Sequence, residues 1–398
     1  MNNTDGPPRL LNLVDRVTNT PVCVIWEITL GCNLSCSHCG SRAGTKRTNE
    51  LSLEDCKRTV DQLVELGTRE ICLIGGEVFI RRDWVSLVEY IKKKGLFCAI
   101  QTGGYKFPIE KLRQAFNYGL DGIGISIDGF RKEHDAIRGK IGAYFSAIQL
   151  LDYCNENAWT VSVNTQISSL NKESIVEFGR FLLTKKVKFW QLQLTVPMGN
   201  ASDNFDLCLQ PFQLPEVYER LSNAYDELAD GGLLIIPGNN VGYFGPYEHM
   251  WRGPDRGGHY AGCVAGVNGM GIEADGTIKA CPSLPKERYS CGNVLESNLR
   301  DIWHAPDAFV WNRQENARSY SGYCGECYYQ ATCKAGCTWM SDSLFGQPGN
   351  NPYCVYRVEQ LKKRNIKEYI EKVEEADNFP FGTGKYRIVH KEEIDLEQ

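Results

Sequence analysis

Three cysteines lie close together near the amino end of the chain, at Cys32, Cys36 and Cys39. Thiolates are soft metal ligands, so three of them on one loop can bind three irons of a [4Fe–4S] cluster and leave the fourth iron open to another ligand. A structural zinc ion is the alternative, because zinc prefers four closed ligands and His38 could supply the fourth. The spacing favours iron–sulfur chemistry.

A second set of cysteines lies near the carboxyl end. Part of it has the spacing C-x2-C-x5-C-x3-C, for which zinc ribbons are the alternative interpretation. Its members are Cys263, Cys281, Cys324, Cys327, Cys333, Cys337 and Cys354. The whole chain of 398 residues has 17 cysteines, an odd number, which favours metal binding over a small disulfide scaffold.

The composition argues against several kinds of partner. The formal net charge is −5, so neither a nucleic acid nor an anionic membrane is expected to bind. The first residues lack a basic segment followed by an apolar one, so no signal peptide is expected. Apolar runs such as residues 233–237 are far too short to span a bilayer. We therefore expect a cytoplasmic protein.

Hydrophobic periodicity predicts a repeated strand–helix unit. The predicted strands span residues 22–30, 70–74, 97–102, 122–127, 160–167 and 188–196. Helices are predicted between them, the first capped by Ser52 and ended by Gly67. Such repeats build a parallel sheet with right-handed crossovers. The predicted fold class is α/β, a partial (β/α)6 barrel with its site at the carboxyl ends of the strands.

The regular alternation ends near residue 200. A helical stretch and a Gly- and aromatic-rich loop, 239–260, lead to a cysteine-rich region in which Asp275-Gly276 predicts a β-hairpin. A charged helix near 355–375 and a polar tail are predicted to follow. The predicted divisions are an N-terminal extension, a barrel, a bridging helix and loop, a cysteine-rich domain, and a C-terminal helix and tail, at residues 1–20, 21–200, 201–260, 261–356 and 357–398.

The first cysteine motif, C-x3-C-x2-C after the first strand of a βα repeat, resembles the signature of the radical S-adenosylmethionine (SAM) superfamily. The resemblance covers residues 20–200, approximately. It implies that Cys32, Cys36 and Cys39 hold a [4Fe–4S] cluster that cleaves SAM reductively to a 5′-deoxyadenosyl radical, while the protein orients SAM and excludes water. His38 occupies the position where the family usually has an aromatic residue near the adenine.

Further residues resemble SAM contacts of that family. They are Gly75, Gly76, Glu77, Ser126, Asp128, Arg138, Asn164 and Leu194. The GGE segment would hold the methionine amino group, because glycines allow close approach and a carboxylate pairs with an ammonium; a tight turn is the alternative. The serine and aspartate would lie near the ribose, and the arginine near the SAM carboxylate. The last two are looser matches, for which a structural role is the alternative.

The carboxyl-terminal cysteines, with Gly276 in place, resemble the SPASM domain, a small module with two auxiliary [4Fe–4S] clusters. The resemblance implies an outer cluster on Cys324, Cys327, Cys333 and Cys354, and an inner cluster on Cys263, Cys281 and Cys337. Cys291 is the candidate for the fourth inner ligand. Otherwise the iron there is open to substrate or water.

Enzymes with this module commonly modify ribosomally made peptides or proteins, so the resemblance implies a peptide maturase that crosslinks, excises or oxidises. The first predicted strand begins at residue 22, so we expect no fused recognition domain, and either a separate peptide-recognition protein or direct docking. Pro282 follows Cys281 where sulfatase-type maturases carry an acidic residue soon after the matching cysteine, which disfavours that type. The implied reductant is an electron donor such as flavodoxin or ferredoxin.

Two alternative functions stay open. One is a radical SAM enzyme acting on a small molecule in cofactor or tetrapyrrole biosynthesis, and the other is a non-catalytic iron–sulfur protein for electron transfer or scaffolding. We also hypothesise that the 243–260 loop lines the substrate cleft, with a cover that packs on the barrel as the alternative. Its side chains of interest are Tyr243, Tyr247, His249, Trp251, Arg252, Arg256, His259 and Tyr260.

Overall fold

Strands and helices alternate along most of the chain. The computed structural model describes residues 9–253, 258–314 and 317–392. The strands are β1 (Cys23–Glu27), β2 (Glu70–Ile74), β3 (Phe97–Thr102), β4 (Gly122–Ser126), β5 (Val161–Ile167), β6 (Phe189–Leu194), β7 (Leu234–Pro237), β8 (Gly269–Ile272), β9 (Thr277–Lys279), β10 (Ser290–Asn293), β11 (Ile366–Glu374) and β12 (Lys385–Glu392).

The helices fall between the strands and around the cysteine-rich region. They are α1 (Leu13–Thr18), α2 (Leu53–Glu65), α3 (Trp84–Lys93), α4 (Ile109–Asn117), α5 (Arg131–Arg138), α6 (Ala143–Glu156), α7 (Ile175–Thr184), α8 (Asn200–Asp203), α9 (Leu214–Asn223), α10 (Tyr225–Asp230), α11 (Glu248–Arg252), α12 (Lys286–Tyr289), α13 (Leu299–His304), α14 (Val310–Arg313), α15 (Gly322–Gly325), α16 (Gln330–Cys333), α17 (Thr338–Phe345) and α18 (Val355–Lys362). Short 3-10 turns span Val78–Ile80, Phe205–Leu207 and Pro211–Gln213.

Local sequence signals explain where the helices begin and end. Ser52 caps α2, because its side chain accepts a hydrogen bond from the Asp55 N–H while the Asp55 carboxylate accepts one from the Ser52 N–H. Gly67 follows α2 with a φ of 84°, a conformation that glycine adopts without strain. Apolar side chains at helical spacing on α2, including Val60 and Leu63, are buried against the sheet. Burial of each such side chain stabilises the fold by about 1.5–3 kcal/mol.

Most of the described strands belong to one sheet. Its order is β10-β9-β8-β1-β2-β3-β4-β5-β6-β7. The strands β1 to β7 are mutually parallel, and β8 pairs in parallel with the outer side of β1. The hairpin β8–β9 is antiparallel, as the Asp275-Gly276 pair predicts, and β10 continues it. The carboxyl ends of the parallel strands therefore meet along a single edge, where a ligand site is expected.

The predicted α/β fold is confirmed. The series of parallel strand–helix units has one strand more than the six predicted. The bounds of β2 and β3 are those predicted. The run 233–237, considered above only as too short for a membrane span, forms β7 beside β6. It follows α9 and α10 and so completes one more crossover unit. The predicted domain boundaries stay predictions, and the sheet continues across the one near residue 261 because β8 pairs with β1.

The predicted C-terminal helix and tail are wrong beyond Lys362. The helix α18 ends there, and β11 and β12 form an antiparallel hairpin. Opposite charges of this segment pair across the two strands of the hairpin. Glu371, for example, lies opposite Arg387 and forms an ion pair with it. Within the described ranges, no helix is long and apolar enough to cross a bilayer.

Candidate active site and auxiliary cysteine groups

The first cysteine loop follows β1 and is held by backbone hydrogen bonds. The Cys32 N–H donates to the Gly44 carbonyl at 2.9 Å. Glu50 Oε1 accepts from the Thr29 hydroxyl at 2.8 Å and from the Leu30 N–H at 3.0 Å, so this side chain fixes the start of the loop. Sequence reasoning missed Glu50, whose role depends on contacts that only the folded loop makes.

The three thiols of this loop line one wall of a cavity of ≈ 750 Å³. Backbone N–H groups point at two of them, since Leu34 donates to Cys32 Sγ and Ala43 donates to Cys39 Sγ, both at 3.4 Å. Burial raises the pKa of the Cys32 thiol to about 12 and that of Cys36 to about 11. Metal binding must therefore release protons from these thiols.

Gly75 and Gly76 line the same cavity at the carboxyl end of β2. A Cβ at Gly75 would lie 2.7 Å from the Thr29 carbonyl oxygen, and one at Gly76 would lie 2.6 Å from the carbonyl oxygens of Leu30 and Gly31. The glycines are thus required because the β2 turn packs against the chain that leads into the cysteine loop. The sequence argument placed the close approach at the ligand, whereas the structure also places it between two backbone segments.

The carboxylate of Glu77 is buried behind the glycines. Its Oε2 accepts a hydrogen bond from the Gly103 N–H at 2.9 Å, and its Oε1 is buried without a partner among the described residues. Burial raises the pKa of Glu77 to about 7, although hydrogen bonds from Thr102 and Gly103 oppose the rise. Glu77 itself is not among the residues that line the cavity, so an ammonium group must reach its unpartnered oxygen past the glycine turn to pair with the carboxylate.

A buried ion pair lies beside Cys36. Nη2 of Arg138 is 2.7 Å from Asp128 Oδ2, and Nη1 of Arg138 is 3.8 Å from Cys36 Sγ. His38 Nε2 is 3.3 Å from the same Asp128 oxygen. Burial alone would raise the pKa of Asp128, but Arg138 and His38 hold it well below its usual range. The carboxylate is therefore ionised and joins the arginine to the cysteine loop.

His134 supports this arrangement and was missed by the sequence analysis. Its Nδ1 accepts a hydrogen bond from the Asp128 N–H at 3.1 Å. Burial lowers the pKa of His134 to about 4, so the ring is neutral and can accept at this nitrogen. The pair of residues His134 and Arg138, four apart on α5, could have been recognised from helical spacing.

Four carboxyl-terminal cysteines share a second cavity, of ≈ 390 Å³. They are Cys324, Cys327, Cys333 and Cys354. The pKa of Cys333 is raised to about 12, mainly by burial and also by the neighbouring thiols of Cys324 and Cys327. The structure thus brings together the four residues predicted for the outer cluster.

Three other cysteines form a separate group. Burial raises the pKa of Cys337, and the nearby thiols of Cys263 and Cys281 raise it further. Cys281 likewise has a pKa raised to about 11, by burial first and with Cys263 among the other causes. The three residues predicted for the inner cluster are therefore within electrostatic reach of one another.

Comparison with known protein families covers the first cysteine loop and part of the carboxyl-terminal cysteine set. A family model for the radical SAM superfamily matches residues 26–182, and one for an iron–sulfur cluster-binding domain, SPASM, matches residues 263–328. The chain therefore contains a radical SAM domain and a SPASM domain. These domains imply iron–sulfur clusters and SAM as cofactors.

Relatives of this radical SAM enzyme have more than one kind of product. The mycofactocin maturase MftC of Mycolicibacterium smegmatis is 26% identical over 382 residues, which cover 92% of this chain and 91% of that protein. An AdoMet-dependent heme synthase of Methanosarcina barkeri is 27% identical over 357 residues, covering 86% and 98%. Streptococcus suis SuiB, solved with its precursor peptide SuiA, has the same fold with a TM-score of 0.64 at 18% identity, covering 82% of this chain and 74% of that one.

The residues present fit the cofactors of a radical SAM enzyme. The first cavity has three thiols on one wall and a glycine turn on another. The unpartnered Glu77 Oε1 is the kind of buried polar atom that a bound ligand satisfies.

Of the remaining predicted SAM contacts, one lines the cavity and two do not. Ser126 lines the cavity, and so do Gln101 and Gln166, which the sequence analysis did not single out. Asn164 donates from Nδ2 to Gln101 Oε1, so it touches the cavity wall through another side chain. The backbone of Leu194 is hydrogen-bonded to the side chain of Asn240. Asn240 Oδ1 accepts from the Leu194 N–H at 3.1 Å, and Asn240 Nδ2 donates to the Leu194 carbonyl at 2.9 Å.

Cys291 does not join the inner cysteine group of this enzyme. Its thiol faces the Ile278 carbonyl at 3.9 Å on β9. The charged groups that affect its pKa are Arg313 and Asp307, and burial is the main cause that raises it. In the β9–β10 pairing Ser290 lies opposite Lys279 and Gly292 opposite Ile278, so Cys291 lies at the irregularity between these two pairs. The proposed fourth ligand is therefore not supported by the geometry.

Within the described parts of the 243–260 loop, residues 243–253 and 258–260, Tyr243 contacts both cysteine groups, because its hydroxyl accepts from the Cys337 N–H at 3.0 Å and its carbonyl lies 3.7 Å from Cys354 Sγ. Tyr243, Trp251, Arg252 and Tyr260 are all buried, which favours the packing alternative over a cleft lining for these side chains. Glu248 organises the loop, because its Oε1 accepts from the Tyr260 N–H at 3.0 Å and from Arg252 Nε at 2.8 Å. Tyr247 and His259 are half-buried and His249 is exposed, whereas Arg256 lies outside the described residues.

Proposed function

We propose that this radical SAM enzyme modifies a ribosomally made peptide or small protein. With the cofactors bound, the cluster at Cys32, Cys36 and Cys39 would supply the electron that cleaves SAM to a 5′-deoxyadenosyl radical, which removes a hydrogen atom from the substrate. The observation that carries the proposal is the single cavity that the three thiols share with the Gly75-Gly76 turn.

The residues of the chain have distinct tasks in this proposal. Glu77 binds the SAM ammonium through its free Oε1, and the glycines before it keep the β2 turn against the cysteine loop. Arg138 contacts Cys36 and is positioned by Asp128, so it can turn its guanidinium toward the SAM carboxylate. Ser126 and Gln166 offer polar groups to the sugar.

We further propose two auxiliary clusters. The outer group of Cys324, Cys327, Cys333 and Cys354 gives four thiolates, which close a [4Fe–4S] cluster. The inner group of Cys263, Cys281 and Cys337 gives three. One iron of the inner cluster is then left to a ligand other than Cys291.

The peptide substrate is supported by the similarity to MftC, a named maturase that matches over nearly the whole of both chains. A second candidate, a small-molecule substrate such as a tetrapyrrole, is supported by the equally extended similarity to a heme synthase. The two candidates are separated by turnover. A short peptide encoded beside this gene should change mass when both are co-expressed, whereas a haem precursor such as an iron porphyrin should be unchanged.

The chemistry is tested on the reconstituted enzyme. Anaerobic protein with dithionite and SAM should form 5′-deoxyadenosine and methionine. Cys36→Ala should abolish this product, while Cys23→Ala, a half-buried thiol at the other end of β1, should retain it. Product formation by the Cys36 variant at the wild-type rate would refute the assignment. The electron donor, a separate recognition protein and the cytoplasmic location stay predictions.

A further inference from the structure

An exposed basic and apolar patch lies beside the cysteine loop. It consists of Tyr105, Lys106, Arg131, Lys140, Ile141 and Phe145, and we call it the 105–145 patch. Ile141 is 86% exposed and Phe145 is 51% exposed, so the patch presents apolar surface to solvent. The three basic side chains are exposed as well.

The cations of the patch lie over its aromatic rings. Nζ of Lys106 is 5.4 Å and Nζ of Lys140 is 5.7 Å from the ring centroid of Tyr105. The Arg131 guanidinium is 5.0 Å from the ring centroid of Phe145. Such contacts hold positive charge and apolar surface in one place.

The patch is attached directly to the loop that carries Cys36. The Ser35 N–H donates to the Arg138 carbonyl at 3.3 Å, and the Ser37 N–H donates to the Ile137 carbonyl at 2.8 Å. Asn33 Nδ2 donates to the Tyr105 carbonyl at 2.8 Å. Both chain segments that form the patch therefore pack on the cysteine loop.

The loop is the wall between the patch and the cavity. Ser35 is exposed, whereas its neighbour Cys36 lines the cavity. Arg138 touches Cys36 Sγ, and Lys140 is only two residues farther along the chain, on the surface. A molecule on this patch would be close to the metal site without entering the cavity.

The charge of the patch is opposite to that of the chain. The formal net charge is −5, yet three exposed cations meet here. Asp135 on α5 accepts from the Gly142 N–H at 3.0 Å and from the Tyr144 N–H at 2.8 Å, and its Oδ2 also lies 4.0 Å from Arg131 Nε. Arg131 is thus partly neutralised, whereas Lys106 and Lys140 have no ion pair among the described residues. A basic surface with an apolar centre fits an acidic protein partner.

We propose that the 105–145 patch docks an acidic one-electron carrier protein of the flavodoxin class. The proposal rests on the proposed function, because only a cluster at Cys32, Cys36 and Cys39 requires an electron at this place. One electron passes from the reduced carrier to that cluster, so the carrier is oxidised as the cluster is reduced, and no bond forms or breaks. Lys106 and Lys140 attract the acidic carrier, and Ile141 packs against it.

The test compares the variant Lys106→Glu/Lys140→Glu with Lys363→Glu/Arg364→Glu, which makes the same charge change on exposed residues after α18. The first measurement is the affinity of a purified flavodoxin for the cluster-loaded enzyme at low and high salt. The patch variant should bind at least tenfold more weakly at low salt, and the difference should shrink at high salt. Ile141→Ser should weaken binding at both salt concentrations.

The second measurement is the rate of 5′-deoxyadenosine formation. With reduced flavodoxin the patch variant should be at least tenfold slower than wild type, and with dithionite the two should agree within twofold. Equal flavodoxin affinity of wild type and patch variant, or an equal loss in the control variant, would overturn the docking proposal. If wild-type enzyme forms no product with dithionite, the proposed function fails, and the binding measurement still decides the docking.

Two other occupants of the patch would give different results. A second copy of the chain would appear as a dimer that Ile141→Ser dissociates, with unchanged flavodoxin affinity. A peptide substrate would lose turnover in the patch variant even with dithionite. Either result would overturn the proposal.

Discussion

Asp128 and Arg138 form an ion pair of 2.7 Å that is buried against the cysteine loop. The pair links the carboxyl end of β4 with the last residue of α5, and through Cys36 it reaches the metal site. Two charges taken out of water are stable only together. We therefore expect the position of the cysteine loop to depend on this ion pair.

Asp128→Asn should strongly destabilise the cluster-free protein. Arg138 would stay buried without its counter-ion, and the free energy of unfolding should fall by about 3 kcal/mol. Urea unfolding checks this value. The control is Asp152→Asn, which breaks an ion pair of 2.8 Å with Lys185 at a half-exposed site and should cost less than about 1 kcal/mol. Equal losses in the two variants would contradict the importance of burial.

SAM binding should depend on pH through Glu77. Its pKa is raised to about 7 by burial, so the carboxyl group holds a proton below that pH and is ionised above it. The SAM ammonium pairs with the ionised form, so affinity should be weaker at pH 6 than at pH 8, by about tenfold. Equilibrium dialysis at three pH values measures this.

Glu77→Gln should bind SAM weakly and without this pH dependence. The matched control is Glu110→Gln, since Glu110 is exposed at the start of α4 and should leave both the affinity and its pH profile unchanged. An unaltered pH profile in the Glu77 variant would assign the titration to another group.

Gly76→Ala should impair iron retention. The new methyl group would meet the carbonyl oxygens of Leu30 and Gly31 at 2.6 Å, so the chain entering the cysteine loop must shift. Gly44→Ala is the control, because a Cβ at Gly44 meets nothing within 4 Å. We expect iron per chain to fall in the first variant and to stay at the wild-type value in the second. Iron and sulfide analysis after anaerobic reconstitution gives the answer.

Cys337→Ala and Cys291→Ala should differ in iron content. Cys337 lies with Cys263 and Cys281, so its loss should remove the inner cluster, whereas Cys291 faces the Ile278 carbonyl and should be dispensable. Electron paramagnetic resonance of the reduced proteins would show which signal is missing. A loss of the same signal in both variants would restore Cys291 as a ligand.

Much of the barrel could be predicted because its signals are local. Residues such as Ser52 and Gly67 mark the ends of α2 through short-range hydrogen bonds and backbone conformation. The division of the carboxyl-terminal cysteines into two groups could be predicted because their pattern resembles the SPASM domain, which implies that division. Asp128 could be predicted only as a SAM contact. Nothing in the sequence indicates that it forms an ion pair with Arg138.

The rest depends on contacts between distant segments. The pairing of β8 with β1 joins residues more than two hundred positions apart. The sequence predicts a helix where β11 lies, because its charges suit either structure, and a polar tail where β12 lies. Cys291 was chosen for its place in the sequence, whereas its side chain is directed by the β10 register. Gln101 and Gln166 carry no motif, and only the meeting of β3 and β5 at one edge brings them to the cavity.

The parallel pairing of β8 with β1 has a consequence for how this molecule can be divided. Trp26 on β1 lies opposite Ile272 on β8, so the carboxyl-terminal module covers what would otherwise be a bare, apolar strand edge. A barrel expressed without that module would offer β1 as a template for other chains and would be prone to aggregate. The two cysteine-bearing halves therefore share one sheet, and we expect them to fold together.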